Sequence, residues 1–155
     1  MRVGLISDTH GWLRPSVFAA FEGVDRILHA GDVGRADILT ELEAIAPVSV
    51  VYGNTDGGDV RAGATAEVRL QLDGRSVVLT HGHLLGSPNP LNLHKTYPDA
   101  DVVVYGHTHI AAVDRYEGTL FVNPGAAGQA RFNLKPSVAL LDLADGMDVR
   151  LIELE

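Results

Sequence analysis

The chain has no cysteine, which excludes disulfides, thiolate metal sites and thiol nucleophiles together. It has no apolar run near the ~20 residues that a membrane-spanning helix needs. Its apolar start passes into Ser7-Asp8 too early to read as the core of a signal peptide, so a cytoplasmic protein with no membrane contact is expected. Positive charge is scarce, with 12 Lys and Arg against 20 Asp and Glu for a net −8 and no basic tract. An extended nucleic-acid surface is therefore not expected. A phosphate substrate would have to be drawn in by bound cations. Internal repeats, linkers and low-complexity segments are also missing, and 155 residues with 46% hydrophobic content suit one domain, residues 1–155, with a substantial core.

What the chain does have is a series of apolar runs that end in glycine, histidine and acid. Val102-Val103-Val104-Tyr105 reads as a strand covered on both faces, and Gly106 turns the backbone before His107-Thr108-His109. Residues 2–7 read as a first strand followed by Asp8-Thr9-His10. Residues 25–29 form a second, ending in Gly31-Asp32, and residues 48–52 a third, ending in Gly53-Asn54-Thr55-Asp56. Helices are expected over 15–21, where Val17, Phe18 and Phe21 share a face, and over 36–46, where Ile38, Leu39, Leu42 and Ile45 do. Alternating strands and helices imply right-handed crossovers and a parallel sheet. Further on, Asp73-Gly74 marks a hairpin between 67–72 and 76–80, whose second strand delivers His81-Gly82-His83. A short helix near 91–97 precedes the 102–105 strand. The rest, 111–155, reads as a meander with turns at Glu117-Gly118 and Asp145-Gly146 and a break at Asn123-Pro124-Gly125. The expected fold class is α/β: two packed mixed β-sheets with helices on the outer faces, four layers in the order α/β/β/α.

Asp8, His10, Asp32, Asn54, His81, His107 and His109 thus all fall at carboxyl ends of expected strands, the edge where open α/β sheets place their sites. Carboxylates, imidazoles and one amide oxygen fit divalent ions. Seven groups serve two ions only if one is shared, and Asp32, in a tight Gly31-Asp32 turn, is the candidate bridge.

The series Asp-x-His (Asp8, His10), Gly-Asp (Asp32), Gly-Asn (Asn54), His-Gly-His (His81, His83) and Gly-His-x-His (His107, His109) resembles the calcineurin-like metallophosphoesterase superfamily, in particular its small capless bacterial and archaeal phosphodiesterases. The resemblance runs from Asp8 to His109, with Asn123-Pro124-Gly125 as a further match. It implies that Asp8, His10, Asp32 and His109 hold one ion, and Asp32, Asn54, His81 and His107 the other. It also implies two divalent ions, Mn²⁺ first and Ni²⁺, Fe²⁺, Co²⁺ or Zn²⁺ as alternatives, with a bridging hydroxide for in-line attack on phosphorus. Two such ions, two carboxylates and a hydroxide leave about +1 of local charge in an acidic protein, enough to attract a small phosphodiester or phosphomonoester.

One departure concerns the leaving group. Many members of the superfamily carry a histidine directly after the asparagine, and here Thr55 follows Asn54. A threonine hydroxyl is a poor acid, so good leaving groups such as aryl alkoxides are expected to react best. His83 is a candidate proton donor or supporting residue. Among the others, His29 reads as a satisfied core histidine, His94 as exposed, Trp12 as pocket wall or core, Arg14 and Arg131 as candidate phosphate contacts, and Asn123–Gly128 as a loop that could offer backbone N–H groups to the site. A homodimer is favoured on general grounds. The competing reading is a non-catalytic metal-binding scaffold on the same fold. The His-x-His-x-Asp-His class of metallohydrolase is counted out because Ile110-Ala111-Ala112 follows His109.

Overall fold

In the computed structural model, which describes residues 1–131 and 133–155, the first half of the chain runs β1 (Arg2–Ile6), α1 (Ser16–Ala20), β2 (Arg26–His29), α2 (Asp37–Glu43), β3 (Val48–Val50), α3 (Gly58–Arg61), β4 (Glu67–Leu72) and β5 (Arg75–Thr80). The second half runs α4 (Pro90–Thr96), β6 (Val102–Val104), β7 (Ala112–Tyr116), β8 (Thr119–Asn123), β9 (Ser137–Asp142) and β10 (Asp148–Glu153), with a 3₁₀ turn at His83–Leu85 before α4. One sheet has the order β10-β9-β1-β2-β3 and the other β4-β5-β6-β8-β7. Both are mixed: β1, β2 and β3 are parallel, as are β5, β6 and β8, while β4, β7, β9 and β10 pair antiparallel.

Strand alternation builds the layers. Val3 and Leu5 of β1 face Val102 and Val104 of β6 in a core between the sheets. Ile6 points the other way, with Ile27, onto Val17 and Phe21 of the α1 region and Ile38 and Leu42 of α2. Val103 turns from its two neighbours toward Leu93 and Tyr97 of the α4 region. Period-two side-chain direction on apolar strands therefore produces three cores and four layers, the expected α/β/β/α sandwich.

Two expectations need correction. The segment after Ala111 is not one meander. β7 and β8 form a hairpin in the second sheet, the Asn123-Pro124-Gly125 break carries the chain across, and β9 and β10 form a hairpin in the first. Helix α3 was not expected, because four residues around Val60 are too few to set up a period. The α4 helix begins at Pro90 behind a reciprocal capping pair, Asn89 and Asn92. Among the described residues, no helix is long and apolar enough to cross a membrane.

Candidate metal centre

The seven candidate donors share one edge of the sandwich because β1, β2, β3, β5 and β6 all deliver their carboxyl ends there. The backbone there is unusual. Asp8, His10, Asp32, His107 and His109 all have positive φ, between 47° and 73°. Each such turn costs a non-glycine residue on the order of 1 kcal/mol and persists only where the surroundings enforce it. Five of them among seven candidate ligands point to side chains aimed for a purpose rather than to relaxed loops.

Close packing holds these turns. A Cβ on Gly53 would lie 2.1 Å from Asp32 Oδ1, and one on Gly106 would lie 2.1 Å from Ser7 Oγ and 2.8 Å from Asp8 Oδ2. Glycine before Asn54 and before His107 is thus required by the approach of one strand end to the next.

The donor atoms form two overlapping groups. Asp8, His10 and His109 make one, and Asp8, Asp32 and His81 the other, each with ligand atoms within 4.8 Å of one another. Asp8 Oδ1 is buried and has no hydrogen-bond partner. It faces His109 Nε2 at 3.3 Å, His10 Nε2 at 3.6 Å and His81 Nε2 at 4.0 Å. Its other oxygen is satisfied by the Ser7 hydroxyl at 2.7 Å and the His107 N–H at 3.2 Å. Asp32 Oδ2 stands 3.2 Å from His81 Nε2 and 3.7 Å from His10 Nε2, within reach of both groups. Its Oδ1 accepts the Thr55 N–H at 2.9 Å.

His81 shows most directly what this arrangement fits. Its Nδ1 donates to the Ala30 carbonyl at 2.8 Å, so in the neutral ring Nε2 carries a lone pair. That lone pair faces Asn54 Oδ1 at 3.1 Å, Asp32 Oδ2 and Asp8 Oδ1. Four electron-rich atoms converge with no hydrogen among them, and only a cation or a proton relieves this. The electrostatics agree. Burial opposes charge, but Asp32 and Asp8 raise the His81 imidazole above its ordinary value. Burial likewise penalises Asp8, yet His10, His109, His81 and Ser7 hold it well below the usual carboxylate range. Asp32, with His81 and Thr55 outweighing its burial, is lowered to about 2. His10 Nε2 and His109 Nε2, only 3.2 Å apart, also direct their ring nitrogens at one spot. The donor set therefore fits hard-to-borderline divalent ions.

His107 stands outside both groups, its ring edge-on to His81 at 5.2 Å between centroids. His83 is half-buried, with its ring 5.4 Å from His81 and 6.5 Å from His107. Its Nδ1 has no partner, and burial, then His81 and His107, lower its pKa.

Some supporting residues were not legible in advance. Buried Asp56 accepts three backbone N–H bonds, from Gly53 at 2.8 Å, Gly34 at 3.0 Å and Val33 at 3.2 Å, and so ties the Asn54 turn to the Asp32 turn. An acid three residues after a glycine in a turn is a weak signal, and nothing nearby in sequence names its partners. Asn123 donates to Gly106 O and Thr108 Oγ1, fixing the turn between His107 and His109. His29 is the satisfied core residue expected: the Thr9 hydroxyl donates to Val33 O and accepts from His29 Nε2, while His29 Nδ1 accepts the Gly31 N–H.

Other expectations change. Most of the Asn123–Gly128 loop's N–H groups are spent within the fold: those of Ala127 and Gly128 are taken by the Ser7 and Asp8 carbonyls, and that of Gly125 by Asn123 Oδ1. The loop braces the Asp8 turn instead. His94 is half-buried against Tyr116 rather than exposed, because β7 lies across α4. Trp12 is 41% exposed, which excludes core packing, and Arg14 stacks over it at 4.3 Å while donating to Gly128 O. Arg131 is exposed.

Fold and donor set define a class: an α/β/β/α sandwich whose strand ends gather carboxylates and imidazoles that could hold divalent metal. Residues 1–146 match the model of the calcineurin-like phosphoesterase superfamily domain, and the chain belongs to that superfamily. A probable metallophosphoesterase of Methanothermobacter thermautotrophicus is 37% identical over 161 residues, spanning 98% of this chain and 92% of the relative. Among solved structures, an archaeal protein described as a novel phosphodiesterase superimposes with a TM-score of 0.79 at 26% identity, over 99% of this chain and 100% of that one. Vacuolar protein sorting 29 of Cryptosporidium parvum gives 0.78 at 26%, over 99% and 97%. The family supports a phosphoesterase that uses divalent metal.

Proposed function

We propose that this protein is a phosphodiesterase that works with two divalent ions. The observation that carries the reading is the buried, unpartnered Asp8 Oδ1, faced by the Nε2 atoms of His109, His10 and His81 at 3.3, 3.6 and 4.0 Å. Asp8, His10, Asp32 and His109 would hold one ion, and Asp32, Asn54, His81 and His107 the other; the two donor groups the fold assembles overlap at Asp8, with Asp32 Oδ2 3.7 Å from His10 Nε2. When bound, two such ions would supply Lewis acidity toward a phosphoryl group and activate water for its hydrolysis. Mn²⁺ is the first candidate on general grounds, since oxygen and nitrogen donors without sulfur suit several ions and availability decides.

The chain's own residues prepare the site. The Ala30 carbonyl holds the His81 tautomer that presents Nε2. Ser7 and the His107 N–H fix the Asp8 carboxylate, and Asp56 and Asn123 lock the turns that carry Asn54 and His107. Thr55 follows Asn54, and its hydroxyl is too weak an acid to protonate a leaving alkoxide. His83, wedged beside His81 and His107, orients those rings in this reading. Aryl diesters are therefore the expected substrates in vitro.

The test is hydrolysis of bis(4-nitrophenyl) phosphate by chelator-stripped protein titrated with Mn²⁺. Activity that follows the metal and disappears in His107→Ala and Asp32→Asn supports the reading. A protein that binds Mn²⁺, Ni²⁺, Co²⁺ or Zn²⁺ and hydrolyses nothing supports the second reading, a metal-binding scaffold for a protein partner. Likeness to a vacuolar sorting protein keeps that alternative in view.

A further inference from the structure

Beside the metal centre a cavity of about 390 Å³ opens at the same edge of the sandwich, within the size range of small-ligand sites. One wall is His109, whose Nε2 belongs to the Asp8 donor group. Two other cavities, about 300 Å³ beside Arg2 and Asp142 and about 460 Å³ beside Val48 and Thr65, contain none of the candidate ligands. Through His109 this cavity alone of the three adjoins the donor cluster.

Strand direction explains the placement. β10 and β1 are each antiparallel to β9, so β10 runs parallel to β1 and brings its carboxyl end to the edge that carries Asp8. Leu151 and Glu153, two residues apart, then face the cavity together. Ile110, directly after His109, and Leu134, before β9, complete an apolar floor. Ile110 is 55% exposed and Leu151 42%, an exposure that leaves apolar surface in water next to a charged site. On one rim Lys135 Nζ and Glu153 Oε2 stand 3.4 Å apart and open to solvent, which provides both a donor and an acceptor. A flat ring with a polar edge would cover the floor, lose little rotamer freedom and meet that pair.

Resting on the phosphodiesterase reading, we propose that this cavity takes the ester arm that stays on phosphorus, and that this arm carries such a ring, as a nucleoside does. The cavity then makes the enzyme selective for nucleoside phosphodiesters over those with small alkyl arms.

Two diesters with one leaving group test this: thymidine 5′-(4-nitrophenyl) phosphate and methyl 4-nitrophenyl phosphate. In both, a water oxygen bonds to phosphorus, the bond to 4-nitrophenolate breaks and a proton goes to solvent, so only the retained arm differs. With Mn²⁺-loaded protein, kcat/KM is expected to favour the thymidine ester by about tenfold or more, mainly through KM. In Leu151→Ser, and in Leu134→Ser should the first variant fold poorly, that ratio falls by about fivefold. Equal rates for the two esters, or a ratio untouched in the folded variants, overturn the proposal. A binding measurement separates it from the phosphodiesterase reading. Thymidine 5′-phosphate, titrated into Zn²⁺-loaded protein, should shift the amide resonances of Ile110 and Leu151, and methyl phosphate should not. Those shifts without hydrolysis of either ester would sink the phosphodiesterase reading and keep the cavity. Hydrolysis without them would sink the cavity.

Discussion

Gly53→Ala adds one carbon where the chain has no room for it. The new Cβ would sit 2.1 Å from Asp32 Oδ1 and 2.6 Å from the Asp32 backbone nitrogen. Ordinary contact begins at 3.4 Å, so the carboxylate must retreat by about 1.3 Å and the main chain by about 0.8 Å. Rotating the Asp32 side chain relieves the first clash but not the second, because the backbone nitrogen moves only with the Gly31-Asp32 turn. Metal–ligand distances tolerate roughly 0.2 Å, several-fold less than the required shift. Loss of a supporting contact alone weakens metal sites by about 10–100-fold. Displacing the shared carboxylate should reach the top of that range, with a further ~1–3 kcal/mol lost from the stability of the metal-free protein. Gly63→Ala is the matched control. A Cβ there meets nothing within 4 Å and the φ is not positive, so it should be neutral or stabilise by up to about 1 kcal/mol. Calorimetric titration of chelator-stripped protein with Zn²⁺, with urea unfolding of the same samples, reads both quantities. A Gly53→Ala protein that binds Zn²⁺ within threefold of the parent and unfolds within ~0.5 kcal/mol of it would refute the reasoning.

Three further outcomes are expected. Burial lowers the His29 pKa from 6.5 to about 4, and its Nδ1 already accepts an N–H, so the fold refuses a proton that the unfolded chain takes. Stability is full above pH 6.5 and falls as pH drops toward 4, by about 2 kcal/mol between pH 7 and 5. Urea unfolding should show that loss shrinking in His29→Asn, and an identical pH slope in the two proteins would contradict it. Asp56→Asn puts an amide NH₂ against at least one of three N–H groups and should cost about 2–3 kcal/mol, together with weaker metal binding. Retention of parental stability would mean that Asp56 does not hold the turns. Metal at about 100 times its dissociation constant should stabilise the parent by about 2.7 kcal/mol. In Asp8→Asn most of that gain should vanish, and a gain of parental size would remove Asp8 from the site.

The strand ends and their chemistry were legible from sequence because they are local. An apolar run of β-branched residues, a glycine and then an acid or imidazole identify a strand and what it delivers, whatever lies beside it. Five such ends place seven donors on one edge once the strands of each parallel set are known to run the same way. The glycines could be read as turns, though not as contacts: that Gly53 touches Asp32 and Gly106 touches Ser7 depends on neighbours 21 and 99 residues away.

Pairing had to come from the tertiary structure. Alternation tells each strand which side chains share a face but not which strand it will lie beside. So the 111–155 segment could not be divided between the two sheets from its sequence, nor β10 aligned with β1 to bring Leu151 to the site. Hydrogen-bond satisfaction is decided at the same level. The Ala127 and Gly128 N–H groups were consumed by the Ser7 and Asp8 carbonyls, Asp56 found one donor in its own turn and two in the Asp32 turn, and Asp8 Oδ1 was left with none. A residue type fixes how many bonds a group can make, but packing decides whether it makes them. That is why the candidate donors could be read from the chain while the unpartnered Asp8 Oδ1 required the fold.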